Sequence, residues 1–215
     1  MKYVLVVGDG MADFPLESLG GKTPLQYLSL KAFEKIGGGQ LGRLRSCPKQ
    51  LSPGSDVAFL TLLGNDAVGV YAGRSPLEAA GMGVLLRTGE VAFRMNLVAL
   101  GDGPEGDVML SHNGGGVEGP DALALAQAVA ADPAFQKVGA ERGLVIYPTD
   151  TFRHIAVARG AAAEFTLKPP HDIAGQPTWE YLPGGPGGDW LRRLQAAAKK
   201  ALSAHPVNFK RVSEG

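Results

Sequence analysis

Asp9 and Ser55 are the residues of this sequence whose type and setting best suit metal-assisted chemistry. Asp9 stands between two glycines, directly after the apolar run YVLVV of residues 3–7. A carboxylate that follows a buried strand is well placed to bind a divalent cation. The alternative is an aspartate that only caps the following segment, and the two interpretations have about equal weight.

Ser55 lies in the segment SPGSD of residues 52–56, directly before the apolar stretch VAFLTLLG. Small polar residues with Pro and Gly are typical of a loop that starts a helix. A serine hydroxyl there lies in the positive potential of the helix dipole, which favours a developing alkoxide and an attached phosphate. A metal ion beside it would activate the hydroxyl further. The alternative is a plain N-cap serine, which is the commoner case in general.

Several basic side chains offer a complementary site for an anion. The candidates are Arg74, Arg94, Arg153, His154 and Arg159. Arginine binds phosphate or carboxylate through a planar fork of donors. Arg94 and Arg153 stand in apolar, strand-like segments, where a buried arginine needs an anion beside it. For each residue taken alone, the alternative is a surface or ion-pair role.

The histidines do not follow a metal-binding spacing such as HExxH. They are His112, His154, His171 and His205. The pair His171-Asp172, in the segment PPHDI, favours a structured turn over a small polar site.

Secondary-structure patterns place these residues in an α/β protein. The run 3–7 predicts a buried parallel strand, and ligand sites of open α/β sheets gather at the carboxyl ends of such strands. Helical patterns cover residues 24–36, 57–63, 76–82, 120–131 and 189–204, and strand patterns cover 40–45, 90–100, 143–149, 152–158 and 207–212. The character changes from parallel α/β to α+β near residue 83, as at an inserted domain.

Bulk composition excludes some classes of function. The chain has 215 residues, of which 21 are Lys or Arg and 21 are Asp or Glu. Balanced charge gives no support to nucleic-acid binding or membrane-surface binding. A single cysteine, Cys47, excludes an internal disulfide, and neither a signal peptide nor a membrane-spanning run is apparent. A cytoplasmic setting is expected.

A series of motifs resembles the archaeal-type, cofactor-independent phosphoglycerate mutases of the alkaline phosphatase superfamily. The motifs occur in the order KYVLVVGDGMAD, GGKTPLQ, PGSDVAFLTLLG, GRSPLEAAGMG, VAFRMNLV, FRH, PPHDI and HPVNFKR. PGSD and GRSPLEAA are specific to this group, whereas GDG is shared more widely. The resemblance implies part of an alkaline-phosphatase-like parallel sheet with an inserted α+β substrate-binding lid domain. It implies core residues 1–82, a lid at 83–205, and a return to the core at 206–215.

The resemblance also implies roles for individual residues. Ser55 would be the nucleophile that takes the phosphoryl group, and Asp9 would be a ligand of one of two divalent ions, Mn, Mg or Zn. The arginines and histidines of the lid would hold phosphoglycerate. By motif, these are Arg74, Arg94, Arg153 and His154.

The sequence departs from that family in length and in two motifs. Family members are about twice as long, and their other metal ligands follow the segment that corresponds to Gly215. A TPNMD-like segment is replaced by SLKAFEKIG, and a GHI-type stretch is replaced by SHNGGGVEG. The chain is therefore a piece of a longer enzyme, a partner of a second chain, or a shortened relative that only binds. An incomplete core predicts inactivity alone, and self-association or a completing chain.

Three functions follow from these patterns. The first is transfer between 3- and 2-phosphoglycerate through a phosphoserine. The second is another reaction on the same scaffold, as in a phosphomonoesterase or a kinase-like relative. The third is a non-catalytic module that binds small anions.

Overall fold

The structure, a computed structural model, describes residues 2–8, 11, 13–28, 31, 35, 42 and 44–214. The chain forms two compact units, Met1–Tyr71 and Ala72–Gly215. The fold is a mixed α/β fold with small antiparallel sheets. The domain boundaries expected at residues 83 and 206, between the core and the lid, stay a prediction. Among the described residues, no helix has the length and apolar character needed to cross a membrane.

The first unit contains short helices. They are α1 at Pro24–Tyr27, α2 at Ser55–Leu62 and α3 at Ala67–Val70, with a 3-10 turn at Glu17–Leu19. A capping box starts α1: Thr23 Oγ1 accepts from Gln26 N–H at 3.2 Å, and Gln26 Oε1 accepts from Thr23 N–H at 2.9 Å. These two bonds satisfy backbone donors that a helix start otherwise leaves unpaired.

The second unit is an α+β arrangement. Its elements are α4 at Arg74–Gly81, β1 at Glu90–Asn96, β2 at Ala99–Gly103, β3 at Gly106–Ser111, α5 at Gly119–Ala131, α6 at Pro133–Ala140, β4 at Val145–Tyr147, β5 at Arg153–Arg159, α7 at Gly188–Ser203 and α8 at Pro206–Glu214. The three-stranded antiparallel sheet has the order β1-β5-β4, and β2 and β3 form a separate ribbon. Single-turn 3-10 helices lie at Ala162–Glu164, Pro170–Ile173 and Thr178–Tyr181.

The three-stranded sheet is covered on both faces, which explains why its central strand β5 is apolar throughout. On one face, Phe93 and Ala156 pack with Val129, Trp190 and Leu194 from helices α5 and α7. On the other face, Ala79 of α4 packs against a second cluster that contains Ala92, Ile155 and Val157. The antiparallel register sets Phe93 opposite Ala156 and Arg94 opposite Ile155.

Replacing Phe93 with alanine should destabilise the second unit by about 3–5 kcal/mol, because it empties the centre of a packed cluster. The Phe93 ring lies edge-on to Phe165, with 4.9 Å between centroids, and only 9% of the residue is exposed. Urea unfolding measures the change. Val212→Ala, at a position that is 83% exposed, is the control and should shift stability by less than about 0.5 kcal/mol. Equal effects of the two substitutions would contradict the assigned core.

The predictions for the middle of the chain are confirmed. The helix predicted at 120–131 is α5 at Gly119–Ala131, and that predicted at 189–204 is α7 at Gly188–Ser203. The paired strands predicted at 143–149 and 152–158 are β4 and β5, which run antiparallel. The helix predicted at 76–82 starts earlier, at Arg74.

The strand predicted at 207–212 is wrong, because this segment lies in helix α8, Pro206–Glu214. Proline suits the first position of a helix, since its missing N–H would have no intrahelical partner there. His205 Nδ1 accepts from the N–H of Val207 at 3.3 Å and so caps the helix start. Val207 packs against the cluster of Leu97 and Val117, which fixes α8 on the unit.

The start of the chain also differs from the prediction. Residues 2–8 are not in a strand, and Tyr3 and Val4 are 88% and 85% exposed. A parallel strand needs neighbouring strands and cover on both faces, and the described part of this unit supplies no such neighbour. Helix α1 covers only Pro24–Tyr27 of the helix predicted at 24–36. Most of the remainder, and half of the predicted strand 40–45, lies outside the described residues.

Candidate functional site

Asp9, the predicted metal ligand, lies outside the described residues. Within the part of the chain that the structure describes, no group of three or more His, Cys, Asp or Glu side chains could hold a metal ion. A protein metal site needs several such ligands. The described donor set therefore does not fit a two-ion centre, and the metal role of Asp9 stays a prediction.

Ser55 is the first residue of α2, as the loop-to-helix pattern predicts. The N–H groups of the first helical turn point outward from the helix start, where the dipole makes the potential positive. Gly54, the residue before it, has an extended backbone, and a Cβ there would lie 2.5 Å from Asp56 Oδ1. A side chain at position 54 would therefore require the carboxylate of Asp56 to move.

The turn that carries Ser55 is held by contacts that sequence reasoning missed. The hydroxyl of Tyr71 donates a 2.5 Å hydrogen bond to Oδ2 of Asp56, a short charge-assisted contact. The thiol of Cys47 donates to the carbonyl oxygen of Gly54 at 3.7 Å. Val57, two residues after Ser55 in the same helix, is buried with 1% exposure and anchors the helix start. These contacts fix the position of the Ser55 backbone.

Arg94 and Arg153 lie on the same face of the three-stranded sheet. Arg94 pairs with Ile155, and Arg153 pairs with Asn96, across adjacent antiparallel strands. Residues two apart on a strand share a face, so the two arginines are diagonal neighbours on the face that α4 covers. The structure thus brings together the two arginines that the sequence places in apolar, strand-like segments.

Glu78 of α4 joins Arg94 to Arg74. Its Oε2 lies 3.1 Å from Arg94 Nε, and its Oε1 lies 3.8 Å from Arg74 Nε. The Arg94 side chain is 20% exposed and that of Glu78 is 32% exposed, so solvent screens this network only in part. One carboxylate therefore orients two of the predicted anion-binding arginines. The ion pair between Arg74 and Glu78 could have been predicted from their spacing of four residues, which places both on one face of a helix.

His154 is placed differently from its neighbour Arg153. Adjacent strand residues point to opposite faces, so the imidazole lies on the face that α5 and α7 cover, with 1% exposure. Its Nδ1 accepts from the N–H of Thr149 at 3.1 Å, so the neutral ring carries its proton on Nε2. Nε2 has no hydrogen-bond partner among the described residues. The substrate-binding role of His154 stays a prediction, whereas its structural role in the β4–β5 turn is visible.

Burial lowers the pKa of His154 below the ordinary value of 6.5, because the charged ring would lose its hydration. The unfolded chain therefore binds a proton at a higher pH than the folded chain does. Stability from this residue is present above about pH 6.5 and is lost as the pH falls below that value, by at most about 1.4 kcal/mol per pH unit. Urea unfolding between about pH 7 and 5 measures the slope, which His154→Gln should reduce. Equal slopes for the parent protein and His154→Gln would contradict the assignment.

The predicted residues thus form two groups. Arg74, Arg94 and Arg153 lie together in the second unit, and Ser55 lies in the first unit with its own supporting contacts. Arg159 lies at the far end of β5 from Arg153, opposite Glu90.

Comparison with known proteins identifies a protein family that matches most of the chain. The family model of the 2,3-bisphosphoglycerate-independent phosphoglycerate mutases matches residues 37–208. A protein of that name from Methanosarcina barkeri is 41% identical over all of this chain and 52% of its own length. A probable mutase of the same type from Geobacter sulfurreducens is 40% identical over all of this chain and 53% of its own length. The chain therefore spans about half the length of the curated relatives it matches.

Two solved structures have a similar fold. The cofactor-independent phosphoglycerate mutase from Thermoplasma acidophilum matches 96% of this chain and 53% of its own, with a TM-score of 0.53 and 25% identity. A protein from Pyrococcus horikoshii matches 96% of this chain and 46% of its own, with a TM-score of 0.57 and 23% identity, and this likeness concerns the fold alone. With its PGSD and GRSPLEAA motifs and a family match over most of its length, the chain belongs to the 2,3-bisphosphoglycerate-independent phosphoglycerate mutase family.

Proposed function

We propose that this chain supplies the nucleophile and the substrate-binding unit of a phosphoglycerate mutase that interconverts 3- and 2-phosphoglycerate. The observation that carries the proposal is the position of Ser55 at the first residue of helix α2, within the PGSD motif. A serine there has the helix dipole and outward-facing N–H groups beside its hydroxyl. These features favour both the attacking alkoxide and the phosphoryl group that it would receive.

The reaction has two phosphoryl transfers. In the first, Ser55 Oγ loses its proton and bonds to phosphorus while the bond between phosphorus and the 3-oxygen of the substrate breaks, and the 3-oxygen takes a proton. In the second, the 2-hydroxyl of the retained glycerate loses a proton and attacks the phosphoserine, which frees Ser55. N–H groups of the first turn of α2 stabilise charge on the phosphoryl oxygens during both steps.

The arginine face of the second unit is suited to hold the substrate between the two transfers. Arg94 and Arg153 lie on one sheet face, and Glu78 orients Arg94 and Arg74. Guanidinium groups bind phosphate and carboxylate through paired donors, and phosphoglycerate carries both groups. Retention of glycerate and exclusion of water distinguish a mutase from a phosphatase, and we assign both tasks to this unit.

Full activity needs the second half that the relatives carry, because this chain spans about half their length. The exposed apolar side chains of residues 3–7 support such a completion, since a neighbouring segment would cover them. We propose that they then join a parallel sheet and that Asp9 binds one of two divalent ions, Mn, Mg or Zn. Alone, the chain should be inactive and should associate with itself or with a completing chain. We propose a cytoplasmic setting.

A mutase assay tests this function. The isolated chain and the complete protein, meaning this chain joined to the second half that its relatives carry, are incubated with 3-phosphoglycerate and manganese. Phosphorus NMR follows the product. We expect 2-phosphoglycerate from the complete protein and none from the isolated chain. Release of inorganic phosphate without 2-phosphoglycerate would support a phosphomonoesterase instead.

A second candidate function is a non-catalytic anion-binding module. The favouring observation is that Arg74, Arg94 and Arg153 belong to a unit that does not contain Ser55. This function predicts that 3-phosphoglycerate binds to the chain, that Ser55 is never phosphorylated, and that no product forms with either protein. Calorimetry with 3-phosphoglycerate, run beside the assay, separates the two functions.

A further inference from the structure

Asp56 places a negative charge directly beside the proposed nucleophile, where the reaction would bring another. It follows Ser55 in the chain and is the acidic residue in the first turn of helix α2. The positive potential at a helix start attracts anions, whether they are carboxylates of the chain or phosphoryl groups of a ligand. The Asp56 carboxylate and the phosphoryl group of a substrate would therefore compete for the same potential.

The residue at the N-cap position makes this competition more acute. That residue is Gly54, which has no side chain, whereas a serine, threonine or aspartate there would accept from an N–H of the first turn. Asp56 is the acidic side chain that could take over this capping role. Its Oδ1 is turned back toward the helix start, since it lies 2.5 Å from the position that a Cβ of residue 54 would occupy. What restrains this carboxylate therefore matters to the reaction.

Tyr71 restrains the carboxylate from a different element. Its hydroxyl donates the 2.5 Å hydrogen bond to Oδ2 of Asp56. Tyr71 is the C-cap residue of helix α3, and its N–H donates to the carbonyl oxygen of Ala67 at 3.0 Å. Ala67 is buried with 2% exposure, and helices α2 and α3 contact each other. The phenol is thus presented to Asp56 from an anchored position.

We propose that Tyr71 is a positioning residue of the mutase reaction, whose hydroxyl holds the Asp56 carboxylate aside so that the phosphoryl group takes the start of α2. The inference rests on the proposed role of Ser55 as the nucleophile. A hydrogen bond from a phenol to a carboxylate fixes the carboxylate and draws charge from it. Without the hydroxyl, the carboxylate turns to the N–H groups of the first turn and repels the phosphoryl oxygens. Transfer then slows, because those N–H groups stabilise charge in the transition state.

Tyr71→Phe in the complete protein should lower kcat by about 10- to 100-fold, the range for losing one hydrogen bond to a charged group. KM for 3-phosphoglycerate should change by less than about threefold, because the arginine face supplies the binding of the ground state. Tyr181→Phe is the matched control, since it removes a phenol hydroxyl from a 3-10 helix of the second unit, and it should keep the parent kinetics. Enolase-coupled detection of 2-phosphoglycerate measures both constants.

A double-mutant cycle separates this role from a purely structural one. Asp56→Asn keeps the shape of the side chain and removes its charge, so kcat should stay within about threefold of the parent value. In that background, adding Tyr71→Phe should lower kcat by less than about twofold, because no carboxylate remains to be held. If Tyr71 only supported the fold of the turn, its substitution would lower kcat equally in both backgrounds. That result, or an inactive Asp56→Asn protein, would overturn the inference.

A further variant tests the inference without changing Tyr71. Asp56→Glu keeps the charge on a longer side chain, so the carboxylate no longer meets the Tyr71 hydroxyl in the same geometry. Its kcat should fall about tenfold or more, below that of Asp56→Asn, and the reverse order would overturn the inference. Failure of the mutase proposal is read separately, in the parent protein, when neither 2-phosphoglycerate nor phosphorylated Ser55 forms. If the parent releases inorganic phosphate instead, the same ratios, measured on phosphate release, still decide the role of Tyr71.

Discussion

Alanine at position 55 is expected to lower mutase turnover of the complete protein by about a thousandfold or more, because it removes the atom that accepts the phosphoryl group. Ser55 begins helix α2, and its backbone is fixed by Tyr71, Cys47 and the buried side chain of Val57. The substitution therefore removes one oxygen from a turn that keeps its shape. Enolase-coupled detection of 2-phosphoglycerate measures the rate.

Ser52→Ala is the matched control for this experiment. Ser52 lies in the same SPGSD segment, is exposed, and precedes the helix start by three residues. It should retain turnover within about twofold, as expected for a surface substitution. Full activity of Ser55→Ala would show that another group takes the phosphoryl group, and equal loss in both variants would point to a damaged loop.

Arg94→Ala is expected to lower kcat/KM for 3-phosphoglycerate by about 10- to 100-fold, since a hydrogen bond to a charged group contributes about 1.5–3 kcal/mol. Arg94 is the half-buried member of the arginine face, and Glu78 holds its Nε at 3.1 Å. A lysine at this position keeps the charge but loses the planar fork, so Arg94→Lys should recover only part of the loss. Steady-state kinetics on the complete protein gives kcat and KM separately.

Arg193→Ala provides the matched arginine control. Arg193 forms an ion pair with Glu141 at 2.6 Å on an exposed surface, where such pairs contribute little to stability. Its kinetics should equal those of the parent protein. If Arg94→Ala changed neither KM nor kcat, the arginine face would have no part in substrate binding. A loss of the same size in Arg193→Ala would indicate a general effect of removing positive charge.

Much of the second unit could be predicted from local sequence patterns. The helix at Gly119–Ala131 has a proline near its start and apolar residues at helical spacing, and β4 and β5 are apolar runs separated by a Thr-Asp turn. The strand prediction for the segment after residue 206 is wrong because short apolar patterns do not distinguish a strand from a helix. There the proline at the first helical position was the stronger signal.

Residues 3–7 show where a local sequence pattern fails to predict the structure. Their pattern is typical of a buried strand, but they are not in a strand and Tyr3 and Val4 are exposed. Whether a strand forms depends on which neighbouring segments cover it, and that is a tertiary property. An apolar run indicates that a segment is suited to burial, but it does not show whether the neighbouring segments that would bury it are present.

The candidate site residues also divide into those that local sequence predicts and those that depend on partners brought close by the fold. Ser55 could be placed because loop chemistry and helix pattern are local, whereas Glu78 and Tyr71 act through partners that only the fold brings close. Strand alternation could have separated Arg153 from His154, since adjacent residues of a strand face opposite sides. The motif alone groups the two residues, but the fold buries the imidazole and leaves the guanidinium exposed.

Peptide mapping of the complete protein, quenched during turnover of 3-phosphoglycerate, tests most directly whether this chain carries the nucleophile. With 3-phosphoglycerate that carries labelled phosphorus, the predicted result is a single labelled peptide that contains Ser55, and its label is lost again when excess unlabelled phosphoglycerate is added. Turnover of 3- to 2-phosphoglycerate with Ser55 unmodified at every quench time, and undiminished in Ser55→Ala, would contradict it.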